Sequence, residues 1–377
     1  MSLKHLNIAI VCDWLTNFGG AEKVILALHQ LFPKAPIYTS IYNRDRMPGF
    51  ENALIHTSYL QHLPWAKDKH QLYLSLMPEV FEQFDLSGYD IVISSSHSCA
   101  KGIITKPETL HICYCHSPMR YAWENSHSYI KEYEINGAVK KIAPHLLHKI
   151  RMWDRLSADR VDYFLANSHH VQNRIYKYYR KTSSVVHPFV DVKEFQVGNH
   201  RQNFYLAVGR LTPYKRFDLI IDAFNELNLP LKIVGTGVAY RKLAQRANPN
   251  IEFLGHVSNT RLAELYGQAK ALVFPQVEDF GITPLEAMAS GCPVIAFNKG
   301  GALETVIDKQ TGIFFNEQNV ASLKGAVEKF KQHKFNHQAI REHAETFDRS
   351  VFNEKIVGFI EKKWETWQKE LAGTFKQ

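Results

Sequence analysis

The sequence predicts an α/β protein of two Rossmann-like, doubly wound parallel-sheet domains, and three observations carry that expectation. Its 377 residues exceed one typical domain and suit two of about 180 residues each. Apolar strand-like runs alternate with helix-like stretches along most of the chain, and strict alternation implies parallel strands covered by helices on both faces. The pattern then restarts after residues 185–191, which read as a linker. The expected division is 1–187 for the first domain, 188–350 for the second, and 351–377 for a terminal helix packing back toward the first.

In the first half, residues 7–14 read as a buried strand, Gly19-Gly20 as a turn and 21–31 as a helix. Strand-like runs recur at 37–42, 89–95, 110–115 and 161–166. The second half sets strands at 204–208, 231–234, 251–254, 271–274 and 293–297. Helices are expected between them at 217–226, 239–246, 260–267 and 284–290, and onward to the end. The stretch 347–371 is one long helix in pattern, with Trp364 and Trp367 near its end. Sheets of this kind bind ligands at the carboxyl ends of their strands.

Composition narrows the function classes. An apolar fraction of 45% is ordinary for a globular protein, and no apolar run approaches the roughly 20 residues of a membrane span. Met1 leads straight toward the first strand with no signal-peptide pattern, so a cytoplasmic protein is expected. The five cysteines (Cys12, Cys99, Cys113, Cys115 and Cys292) form no C-x-x-C and no zinc spacing, which favours buried free thiols. The net charge is +8, and residues 140–181 alone hold ten Lys and Arg against three Asp. Such a patch suits an anionic surface, although a solvated helix face carries the same charges.

Two segments of the second half carry chemistry. A strand ends at Gly209, a loop holds Arg210 and Lys215, and a helix follows. The loop delivers a guanidinium fork and an ammonium point charge to the carboxyl end of a parallel strand, as a diphosphate requires. Further on, Thr283, Pro284 and Glu286 fit N-cap, N1 and N3 of a capping box, so capping alone accounts for Glu286. Glu278 has no such local role. It stands in a loop beside Gly281, where the backbone can approach a ligand, and the amides of Gly281, Ile282 and Thr283 open a helix suited to an anion.

Gly209-Arg210 with Lys215, and Glu278 with Glu286 after seven intervening residues, resemble the G-R-x4-K and E-x7-E signatures of retaining glycosyltransferases of family 4 (glycosyl transferases group 1). The resemblance covers essentially the whole chain. It implies the GT-B fold, with two domains facing a cleft, the first on the acceptor side and the second binding a nucleotide sugar. Arg210 and Lys215 would then grip the pyrophosphate, Glu286 the ribose hydroxyls and Glu278 the hydroxyls of the transferred sugar. Phe280, Gly281, Ile282 and Thr283 would contact sugar and phosphate through their backbone, and His256 and Val257 would line the base pocket. In the first half Gly19 and Gly20 would approach the donor. His116 matches a histidine whose imidazole or backbone carbonyl faces the anomeric carbon. His97, Arg120, Tyr121 and Trp123 are candidates for the acceptor side.

No D-x-D or H-E-x-x-H string occurs, so neither metal nor cofactor is expected, and protein cations must neutralise the leaving diphosphate. The expected activity is retaining transfer of a hexose from a UDP-hexose, such as UDP-glucose, or from GDP-mannose. The acceptor would be a saccharide or lipid-linked saccharide hydroxyl, in polysaccharide or glycolipid synthesis. Apolar Ile142, Leu146, Leu147, Ile150 and Trp153 among cations suggest docking at the inner face of a membrane, although ordinary packing into the first domain explains the same apolar face, and no nucleic acid is expected. The alternatives are a nucleotide-sugar epimerase and a non-catalytic sugar-nucleotide binding protein.

Overall fold

A computed structural model of the chain describes residues 3–124, 137–198 and 200–374. Two compact units result, one of Met1–Val186 with Asn353–Gln377 and one of His187–Phe352. The last helix, Arg349–Thr374, starts in the second unit and continues as part of the first.

In the first unit seven parallel strands lie in the order β3-β2-β1-β4-β5-β6-β7. They are β1 Ile8–Cys12, β2 Ile37–Thr39, β3 Ile55–Thr57, β4 Ile91–Ser96, β5 Leu110–Cys115, β6 Tyr163–Ala166 and β7 Ser183–Val185. The central strands are buried along their whole length, as strands covered on both faces are; β1 is an unbroken apolar run, whereas β4 ends in Ser94-Ser95-Ser96 and β5 contains His111. Strands β1 and β4 pair from Ile8↔Ile91 to Cys12↔Ser95. Chain order reverses between them, so their carboxyl ends flank the switch point where such sheets bind ligands. The terminal helix buries Ile356, Ile360 and Trp364, donates from the Trp367 indole to Glu108 O at 3.0 Å, and lays Lys363 Nζ 4.0 Å above the Tyr163 ring.

The second unit has six parallel strands in the order β10-β9-β8-β11-β12-β13. They are β8 Tyr205–Val208, β9 Leu231–Val234, β10 Ile251–Gly255, β11 Leu272–Phe274, β12 Val294–Phe297 and β13 Gly312–Phe315. Its switch point lies between β8 and β11, which meet at Leu272↔Leu206. Two apolar layers cover the sheet, one including Leu206, Leu272, Leu285 and Val294, the other Ala207, Ile220, Ile233 and Ile295.

The structure departs from the sequence reading at the sheet edges. Strands β3, β7 and β13 were not anticipated, and β13 falls where only helices were expected. β3 and β7 are three residues long and not fully buried, so no apolar run marks them. β7 also takes up the first residue of the expected linker.

Candidate active site

Three neighbouring strands of the second unit end in glycines with positive φ: Gly209 (+152°), Gly235 (+134°) and Gly255 (+66°). The Gly209 amide donates to Val234 O at 3.0 Å, and the Gly235 amide to Gly255 O at 2.7 Å. A Cβ on Gly235 would stand 2.0 Å from Gly209 O, so the strand ends close together only because that side chain is missing. The loop after Gly209 carries exposed Arg210, makes a 3-10 turn over Pro213–Lys215 and leaves through Arg216 in the left-handed region at φ +56°. That reversal turns Lys215 back over the strand end. Its Nζ lies 2.7 Å from Glu278 Oε1, and the two side chains are only 14% and 18% exposed. The lysine from the β8 loop and the glutamate from the β11 loop thus pair across the switch point.

The loop holding Glu278 is tightly supported. Glu278 O accepts from the Gly301 amide at 3.0 Å, and a Cβ on Gly301 would lie 2.2 Å from Phe280 O. Phe280 is buried and stacks on His187 with ring centres 5.3 Å apart, while His187 Nε2 meets Glu304 Oε2 at 2.9 Å. Gly281, at φ +88°, is the N-cap of the helix Ile282–Ala289 and provides no side-chain cap. The expected capping box of Thr283, Pro284 and Glu286 is therefore corrected. The glycine starts the helix earlier than the box requires, and Glu286 stands in its second turn. Its carboxylate instead accepts from the Tyr266 hydroxyl at 3.2 Å. At the end of β10, His256 is exposed and Val257 half-buried.

The first unit gathers a polar cluster at its own switch point. Asp13, beyond the end of β1, is 1% exposed and accepts from the amides of His97 (2.7 Å), Ser98 (2.9 Å) and Ala100 (2.7 Å) in the loop after β4. His97 Nδ1 lies 3.1 Å from the same carboxylate. Trp14 sits between two imidazoles, stacked on His70 at 4.4 Å and edge-on to His97 at 4.7 Å. His116, after β5, bonds through Nε2 to Ser95 Oγ at 2.8 Å, and its carbonyl accepts from the Asn167 amide at 2.9 Å. Burial, with His97 nearby, holds the His116 imidazole neutral by lowering its pKa to about 3. His70 falls to about 4 for the same first reason. Gly19 caps the helix Gly20–Leu31, and Glu22 folds back so that a Cβ on Gly19 would stand 3.2 Å from its Oε2. Burial raises the Glu22 pKa.

Of the acceptor-side candidates, Tyr121 bonds Ser98 Oγ at 2.8 Å and so backs the loop that Asp13 holds. Arg120 opens the short helix Arg120–Trp123. Trp123 serves the interior: its indole donates to Asp154 at 2.7 Å, and Asp154 also receives the Tyr179 hydroxyl at 2.8 Å and the buried Lys101 ammonium. All five cysteines are free and buried.

The apolar residues of the basic segment divide between interior and surface. Leu147 and Ile150 are buried and, with Trp153, pack inward from the helix Gly137–Ser157. Among the described residues Leu146, Met152 and Leu156 are the exposed large apolar side chains there, and the Ile142 side chain lies outside the described residues. Among the described residues no helix is long and apolar enough to cross a membrane.

Sequence reasoning missed Asp13, Glu22, His70 and Tyr266. Asp13 left one signal, a charged residue directly after an apolar strand. Tyr266 left none, since it stands within a helical pattern twenty residues before its partner.

Residues 191–347 match the family described as Glycosyl transferases group 1, and residues 18–194 match Glycosyltransferase Family 4. The chain belongs to the group 1 glycosyltransferases. An uncharacterized glycosyltransferase of Methanocaldococcus jannaschii is 28% identical to this family member over 222 residues, covering 58% of this chain and 63% of that protein. The O-antigen chain mannosyltransferase RfbU of Salmonella typhimurium is 30% identical over 204 residues, covering 48% and 56%. The chain thus spans less than two thirds of the length of either relative. Among solved structures, Anabaena HepE in complex with UDP and glucose matches with a TM-score of 0.65 over 95% of this chain and 100% of that one. At 15% identity that likeness shows the shared fold, the two-domain Rossmann-like GT-B fold.

Proposed function

We propose that this group 1 family member is a retaining, metal-independent hexosyltransferase that uses a nucleoside diphosphate hexose. The Lys215–Glu278 pair across the switch point of the second unit carries the reading. It sets a cation for diphosphate beside a carboxylate for sugar hydroxyls, next to the amides that open the helix Ile282–Ala289. In this reading exposed Arg210 joins Lys215 on the pyrophosphate, and Glu286, which has no capping duty, takes the ribose with Tyr266 behind it. Val257 and the backbone at His256 border the base.

Both glutamates are already engaged, Glu278 by Lys215 and Glu286 by Tyr266. That supports a same-face displacement through an oxocarbenium-like state over a double displacement with a carboxylate nucleophile. The leaving phosphate takes the acceptor proton, and neutral His116 is the polar, uncharged group that the first unit offers substrate. The relatives favour a mannosyl or glucosyl donor, since one is named a mannosyltransferase and one structure holds UDP and glucose. Exposed Leu146, Met152 and Leu156 on a basic helix favour an acceptor presented at an anionic membrane surface.

Thermal-shift screening against UDP, GDP and ADP identifies the base, because a ligand that binds only the folded state raises Tm. Proton NMR of the first product then reads the anomeric configuration. An inverted product refutes retention, and epimerised donor without transfer points to an epimerase. Activity lost in EDTA refutes metal independence. Flotation with anionic liposomes at low salt, reversed by high salt, is the expected membrane result; absence from the lipid fraction in both refutes it.

A further inference from the structure

We infer that Asp13 is a positioning residue for the incoming acceptor hydroxyl and acts through His97. The inference rests on the reading that the first unit receives the acceptor. The two residues stand beyond the carboxyl ends of β1 and β4, on either side of the switch point of that sheet. Both oxygens of the Asp13 carboxylate are engaged with the loop 97–100: Oδ1 takes the Ala100 amide, and Oδ2 the amides of His97 and Ser98. The loop that carries His97 is thereby fixed at its backbone.

The same carboxylate also fixes the ring. A carboxylate only accepts, so His97 Nδ1, 3.1 Å from Asp13 Oδ2, must carry its proton toward Asp13. In the neutral ring Nε2 is then left with its lone pair. Among the described residues Nε2 takes no hydrogen-bond partner, and the imidazole is partly open, at 31% exposure of its side chain. Trp14 lies edge-on to the ring and limits its rotation.

Besides Cys12, Cys99 and Tyr121 beside Asp13, the titratable groups of the cluster include Glu22 from the helix Gly20–Leu31, His70 from a 3-10 turn, and His116 after β5. His70 is buried with Nδ1 on Thr16 Oγ1 at 3.2 Å, and His116 has committed Nε2 to Ser95. His97 is thus the imidazole of this cluster with a carboxylate behind it and an accepting nitrogen in front. It orients a hydroxyl by accepting its hydrogen bond, and no proton need be transferred to it.

The decisive experiment uses the full chain, in two parts. Nitrogen-15 NMR of the imidazoles, with His97 assigned by its loss in His97→Ala, should show an Nδ1–H tautomer in the wild type and Nε2–H in Asp13→Asn. Turnover of the donor selected by thermal shift is then measured with octyl glucoside as acceptor probe or, where it accepts no sugar, with water. Asp13→Asn and His97→Ala should each lower turnover roughly tenfold to a hundredfold, with the donor Kd unchanged. The double variant should lose no more than His97→Ala alone, because the aspartate acts through that ring. Additive losses, full turnover in His97→Ala, or an Nε2–H wild-type tautomer each overturn the inference. If Asp13→Asn does not fold, the wild-type tautomer and His97→Ala decide it. A wild type that turns over no nucleotide sugar refutes the proposed function instead, and the tautomer still tests the Asp13–His97 coupling.

Discussion

Replacing Glu278 with glutamine should tighten the binding of nucleoside diphosphate while impairing transfer, two effects of opposite sign from one atom change. Glu278 and Lys215 are 2.7 Å apart and largely shielded from water. At that distance and an effective dielectric of about 20, two unit charges attract by ~6 kcal/mol. Desolvation of both groups offsets most of this, leaving a net coupling on the order of 1–2 kcal/mol. A diphosphate that engages Lys215 gives up part of that coupling and meets the negative carboxylate as well. Glu278→Gln keeps the shape and removes both penalties, so UDP or GDP alone should bind about tenfold tighter, equivalent to ~1.4 kcal/mol. Calorimetric titration at two ionic strengths measures this, and the gain should shrink as salt screens the charges. Turnover of the intact donor should fall, because glutamine holds sugar hydroxyls less strongly than a carboxylate. A Kd equal to or weaker than wild type would refute the reasoning and leave the pair as a scaffold contact only.

Other outcomes follow from the same geometry. Lys215→Ala should lower kcat by roughly 10²–10³, the usual loss of one preorganised charge-stabilising donor, and a tenfold loss or less removes its assigned role. Glu286→Gln should raise the donor KM and leave Tm nearly unchanged, since no helix cap is lost; a large fall in Tm with an unaltered KM reverses that assignment. Gly235→Ala should abolish nucleotide binding or folding, because its Cβ would meet Gly209 O at 2.0 Å, whereas Gly255→Ala meets nothing within 4 Å and should cost only about 1–2 kcal/mol for its left-handed φ. Thermal melts across pH 4–8 check both the fold and the buried imidazoles. The pKa values of His70 and His111 drop to about 4 and that of His116 to about 3, chiefly through burial, from 6.5. Below pH 6.5 the unfolded chain therefore binds protons that the folded chain refuses, and stability should fall as pH drops toward 4. His70→Gln should flatten that slope, and an unchanged slope would show that His70 is not the titrating group.

How much of this was legible depends on where the deciding partner lies in the chain. The unbroken apolar run of β1 and the apolar stretches that open β4 and dominate β5 announce themselves because both sheet faces are buried, so the two-sheet alternation and the ends of the central strands were readable. Edge strands β3 and β7 pack one side only, and their mixed residues carry no such signature. Arg210, Lys215 and Glu278 were readable because the loops that hold them follow strand ends directly. Glu286 was misread by local chemistry: Thr283, Pro284 and Glu286 spell a capping box, but Gly281 at φ +88° starts the helix ahead of it. Asp13 was illegible as a partner, since the amides it receives lie 84 to 87 residues away, a distance that no short-range pattern spans.

The divided first unit has a consequence for synthesis. Domains as a rule close in the order in which they leave the ribosome, yet here the first unit needs residues 353–374, which are made after the whole of the second. Until then Ile356, Ile360 and Trp364 have not arrived to cover their side of the first sheet, while residues 187–352, an uninterrupted stretch, hold everything their own core requires. The second unit should therefore acquire protease resistance on the ribosome before the first, which must wait until residues 353–374 have emerged.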